Sequence, residues 1–130
     1  MAKKSRIQLG ALWPRRDLTF VDDTVDGFIR AATCDAAIGR TVQLGTGRDI
    51  SIGDLVQLAL QTLGVETEIV AEDERMRPPN SEVGVLLSDP SLAAELLGWK
   101  PETSLEQGIA ATAEWLEQNL AHYNTERYGY

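Results

Sequence analysis

A chain of 130 residues, 43% of them hydrophobic, is long enough for about one folded domain and too apolar for a disordered tail. Twenty acidic against twelve basic side chains give a formal charge of −8, which opposes a broad nucleic-acid-binding face. No run of about 18 apolar residues is present to span a membrane, and a single cysteine, Cys34, excludes an intrachain disulfide. The opening "MAKKSRIQLG" is basic but has no apolar h-region, so it does not read as a secretory signal. A cytoplasmic, reducing location is the expectation. A domain of this size can hide roughly two-thirds of its unfolded surface, so a substantial core is expected.

In chain order, residues 7–12 read as a short strand ended by Pro14, and "DLTFV" (17–21) alternates as a second strand. Asp22, Asp23 and Thr24 are candidate caps for a helix whose Val25, Phe28, Ile29 and Ala32 make one apolar stripe. "TVQLG" (41–45) reads as a strand. Ser51 and Asp54 then form a capping-box variant, opening a helix that stops at Gly64. "VETEIV" (65–70) and "VGVLL" (83–87) read as strands. Asp89–Pro90 is a strong helix start, Gly98 closes that helix, and an amphipathic helix runs from about Ser104 to His122. The order predicts a single α/β unit over residues 1–130, with a core from about 7 to 122 and a frayed tail over 123–130.

Most candidate chemistry has a plainer structural explanation. "GTGRDI" imitates a dinucleotide-binding turn, but Ile50 stands where that turn needs a small residue, so it reads as a tight turn requiring φ > 0. Asp22 and Asp23 read as helix-terminal carboxylates rather than metal ligands, because no third ligand is suitably spaced. His122 and Cys34 have no relay partner nearby in sequence. The loop arginines stand out instead: Arg15, Arg16, Arg48, and Arg75 and Arg77 in "RMRPPNSEV". A guanidinium is a rigid fork of donors matched to phosphate oxygens, and adjacent proline pre-orders its loop.

Four stretches in order, "RRDLTFVDDTVDGF", "VQLGTGRDISIGDL", "RMRPPNSEV" and "LSDPSLAAELLGWKPETSLEQGIAATAEWL", resemble the C-terminal, substrate-binding portion of extended short-chain dehydrogenases. The resemblance is to the NAD-dependent nucleotide-sugar epimerases and 4,6-dehydratases, and it covers about residues 7–120. It implies that Arg16, in the family's "RDF" stretch, and Arg77, with Arg75 beside it, approach the substrate's diphosphate. Gln43 stands where the family's strand often has a nucleotide-contacting asparagine, a departure from the pattern. The family's G-x-x-G-x-x-G loop for NAD or NADP and its catalytic Y-x-x-x-K pair do not occur in these 130 residues. The resemblance therefore implies no catalytic residue, no metal and no cofactor-binding domain in this chain, which alone is expected to be inactive.

In the family, the "TVQLG" strand and the helix after Asp22 pack on the sheet of the nicotinamide-binding Rossmann domain. Here the resemblance implies an uncovered apolar edge and face, and hence a homodimer or higher oligomer. Three functional readings follow: a non-catalytic module binding a nucleotide sugar through Arg16, Arg75 and Arg77; an interaction module with no ligand; or half of a split enzyme completed by a partner that supplies the Rossmann domain.

Overall fold

Residues 6–71 and 83–123 are described in the computed structural model of the chain. Along them run β1 (Arg6–Leu9), β2 (Arg15–Arg16), α1 (Val21–Ala32), β3 (Ile50–Ser51), α2 (Ile52–Leu63), β4 (Glu68–Ala71), β5 (Val85–Leu86), α3 (Ser91–Leu97) and α4 (Leu105–Asn119), an α/β arrangement as expected. β1 and β4 pair in parallel, and β2 lies between β3, antiparallel to it, and β5, parallel to it. Among the described residues no helix is long and apolar enough to cross a membrane.

The helix ends follow local chemistry. At the start of α2, the Ser51 hydroxyl accepts from the Asp54 amide (3.0 Å) and donates to the Asp54 carboxylate (2.7 Å), and Gly64 at φ 64° ends the helix. Before α3, the Asp89 carboxylate accepts from the Ser91 amide and hydroxyl, and Gly98 at φ 59° closes the helix. α4 opens on a full capping box. Ser104 accepts from the Gln107 amide, and the Gln107 side chain accepts from the Ser104 amide, so S-x-x-Q was a readable signal at this site.

Three local expectations fail. Residues 17–20 are not a strand: β2 stops at Arg16, and the last bond to β5 is the Asp17 amide donating to the Leu86 carbonyl at 2.9 Å. α1 begins at Val21 with Phe20 as N-cap, so Asp22 and Asp23 fall within its first turn instead of capping it, and Thr24 hydrogen-bonds back to the Phe20 carbonyl. Residues 41–45 form no ladder with any described strand. An apolar run becomes a strand only where a second strand meets its backbone groups.

Among the described residues the buried hydrophobic cluster is small: Ala93, Leu97 and Trp99, with Ala31, Cys34, Val42 and Leu44 packed against it. α1 presents only part of itself to this cluster. Its apolar stripe faces away, with Phe28 65% and Ile29 61% exposed and Val21 and Val25 also open to solvent. The expected core is therefore present but narrow, because much of the apolar content lies on a face that nothing in the described chain covers.

Candidate functional site

β2 holds Arg15 and Arg16, and successive strand residues point to opposite sides of a sheet. Arg15 makes a two-pronged ion pair with Asp49, Nε to Oδ2 at 2.9 Å and Nη2 to Oδ1 at 3.0 Å. The shared hydrogen bond and charge attraction hold Arg15 above its ordinary pKa and Asp49 below it. This arginine therefore fastens β2 to the residues leading into β3.

Arg16 is held differently. Its Nη1 donates at 2.8 Å to the carbonyls of Arg15 and Val83. Those two carbonyls orient the guanidinium. Val83 is the first described residue after 72–82, the stretch containing Arg75 and Arg77, and those two predicted site residues lie outside the described residues.

The next residue, Asp17, is a hub that the sequence reading missed. Its carboxylate accepts from the Thr46 amide (2.9 Å) and hydroxyl (2.6 Å), the Gly47 amide (3.0 Å), the Ser88 amide (3.3 Å) and the Ser88 hydroxyl. Burial pushes its pKa up, but the Ser88 and Thr46 hydroxyls and the turn amides outweigh burial and leave it below the usual aspartate value. Gly45 must lack a side chain here, since a Cβ would sit 1.8 Å from the Ser88 hydroxyl oxygen. Gly47 has φ 68°, the conformation expected of a glycine turn.

The "GTGRDI" turn is filled from within the chain. The Thr46 and Gly47 amides that would cradle a pyrophosphate already hold the chain's own Asp17 carboxylate. The turn as built does not fit a nicotinamide dinucleotide. The only sequence signal for the hub was the placement of Asp17 directly after Arg16, and its partners lie 29 to 71 residues further on.

Gln43 is brought close to the hub. Its Oε1 accepts from the Asp89 amide at 2.8 Å, and it lines an open cavity of about 250 Å³ with Asp17, Gly45, Leu86, Leu87 and Ser88. That bond directs the Gln43 carbonyl oxygen to the approach to α3. Cys34 donates to the Leu96 carbonyl at 3.3 Å, against the core cluster. Among the described residues no group of three or more His, Cys, Asp and Glu side chains could hold a metal ion.

A family model described as GDP-mannose 4,6 dehydratase matches residues 1–112. A UDP-glucuronate 4-epimerase of Thermodesulfobacterium geofontis is 31% identical over 81% of this chain and 31% of its own length. A UDP-glucose 4-epimerase of Mycolicibacterium smegmatis is 35% identical over 77% of this chain and 30% of its own. The solved structure of epimerase Mth375 from Methanothermobacter thermautotrophicus superposes with a TM-score of 0.80 at 24% identity, over 91% of this chain and 34% of that one, a likeness of fold. The chain thus spans about a third of the length of the relatives it matches.

Proposed function

Since the chain belongs to the GDP-mannose 4,6-dehydratase family of extended short-chain dehydrogenases, we propose that it is the substrate-side portion of such a protein and binds a nucleoside diphosphate sugar without itself performing chemistry. In this reading Arg16 grips the diphosphate, Arg75 and Arg77 add further positive charge, and Gln43 lies beside the ligand. Nicotinamide chemistry is no part of what these 130 residues do in this reading. The observation that supports it best is that the Arg15 and Val83 carbonyls fix the Arg16 guanidinium in place, one of them from the residue that follows 72–82 in sequence. The relatives' names, epimerases of UDP-glucuronate and UDP-glucose, suggest the ligand class.

Calorimetry with UDP-, dTDP- and GDP-sugars tests this reading. Charge-assisted hydrogen bonds are worth about 1.5–3 kcal/mol each, so Arg16→Gln and Arg77→Ala should each weaken binding about ten-fold or more. Absence of binding to every ligand, or unchanged affinity in both variants, would refute it.

The open α1 face favours an accompanying role in association, with a second copy or with a chain supplying the cofactor fold. Val21, Val25, Phe28 and Ile29 are all exposed on it, and large contiguous apolar surfaces usually mark contact sites. A well-folded monomer in light scattering at tens of micromolar would exclude self-association.

A further inference from the structure

The Asp17 carboxylate and the Gln43 side chain close the same two stretches of chain upon each other. Asp17 takes the amides of Thr46 and Gly47 on one side, at 2.9 and 3.0 Å, and the Ser88 amide and hydroxyl on the other. One residue beyond Ser88, the Asp89 amide donates to Gln43 Oε1 at 2.8 Å. Residues 43–47 and 88–89 are therefore fastened twice, once through a carboxylate between them and once directly. Asp17 is itself anchored, because its amide donates to the Leu86 carbonyl at 2.9 Å where β2 ends beside β5.

The clasp is specific to a carboxylate. Both Asp17 oxygens meet backbone N–H groups, Oδ1 that of Thr46 and Oδ2 those of Gly47 and Ser88. An asparagine in either orientation would set its own amino group against one of these donors. The space is also closed, since a Cβ on Gly45 would lie 2.8 Å from Asp17 Oδ2.

The direct fastening decides what Gln43 can offer. A backbone N–H needs an acceptor, so the Asp89 amide selects Oε1 and leaves Nε2, with its two donors, as the free end of the carboxamide. Nε2 has no partner among the described residues. Gln43 lines the open cavity of about 250 Å³ together with Asp17, Leu86, Leu87 and Ser88. A carboxamide held in this way suits a ligand oxygen, whether of a phosphate, a ribose or a sugar hydroxyl.

We propose that Asp17 is the positioning residue of the candidate site: by clasping residues 46–47 to Ser88 it holds Gln43 as a donor to an oxygen of the bound nucleotide sugar. This rests on the nucleotide-sugar reading above and adds to it the residue that acts on the ligand through Gln43.

The test uses the full chain as wild type, Asp17→Asn, Gln43→Met and the double variant. In NMR spectra without ligand, Gln43→Met should move the Asp89 amide proton upfield as its hydrogen bond is lost, and Asp17→Asn should move it the same way. UDP-glucose, dTDP-glucose and GDP-mannose are then titrated by calorimetry. Each single variant should bind about five-fold more weakly, the worth of one neutral hydrogen bond, and the double variant no more weakly than Gln43→Met alone. Ser88→Ala removes only one hydroxyl from the clasp and should reproduce both effects in smaller measure, which keeps the test intact if Asp17→Asn does not fold. An Asp89 resonance unmoved by the Asp17 and Ser88 variants, or losses that multiply in the double variant, overturns the positioning role while the nucleotide-sugar reading stands. Binding of none of the three ligands by the wild type overturns both.

Discussion

The inner edge of α1 is attached to the rest of the chain by polar groups and small residues. Trp99 donates to the Asp23 carbonyl, and the buried Asp23 carboxylate accepts the Glu102 and Thr103 amides at 3.2 and 3.1 Å. Gly27 lets Leu44 close in to where a Cβ would be 2.5 Å from its methyl carbon, and Arg30 reaches the Gly98 carbonyl at the end of α3. The outer face of the same helix holds the apolar stripe, and none of its members is buried. An apolar stripe thus marks the side of a helix suited to being covered, but not whether its own chain does the covering. Here directed hydrogen bonds and close packing dock α1, while its most hydrophobic face stays free for another surface.

The sharpest way to break this contrast is to remove the residue at its inner edge. Trp99→Ala should lower unfolding free energy by about 3–5 kcal/mol in chemical denaturation, since it empties the core cluster and leaves the Asp23 carbonyl without its donor. A loss below about 1 kcal/mol would mean that α1 is held mainly by other contacts.

Acid tests the polar fastening more gently. Asp17 has a folded-state pKa lowered from its ordinary 3.8, so the unfolded chain binds this proton more readily than the folded one. Its stabilising contribution is complete above the unfolded value and is lost as pH falls through the still lower folded value. Unfolding free energy should therefore fall below about pH 4, and Asp17→Asn should show a shallower acid slope over that window. An identical slope in the variant would assign the acid sensitivity to other carboxylates.

The smallest effect is expected on the bare face. Phe28→Glu should change the unfolding free energy of the monomer by no more than about 0.5 kcal/mol, as at other exposed positions. Any concentration-dependent association seen by sedimentation should disappear in the same variant. A large loss of monomer stability would show that Phe28 packs within its own chain.

Signals complete within a few residues were readable in the sequence. The Ser51–Asp54 contact and the glycine closures at Gly64 and Gly98 involve near neighbours and appear where the sequence puts them, while the helix expected from Asp89–Pro90 begins one residue later, at Ser91, with Pro90 as its N-cap. Residues 17–20 and 41–45 have strand-like patterns but are not strands, because pairing depends on a distant partner, which the pattern along one segment does not supply. Within the candidate site, the residue types of Arg16 and Gln43 were readable, but their hydrogen-bond partners were not. Arg16 reaches Val83 across 67 positions and Gln43 reaches Asp89 across 46.

By itself, then, the sequence determined the helices, most of their ends, the α/β alternation and the family likeness, because each is written in residue types at short or fixed spacing. Tertiary structure alone decided that Arg15 is neutralised by Asp49 while Arg16 is held by carbonyls, that Asp17 fills the glycine turn, and that α1 turns its apolar stripe outward. Those outcomes depend on which groups meet across tens of residues, and neither periodicity nor composition encodes that distance.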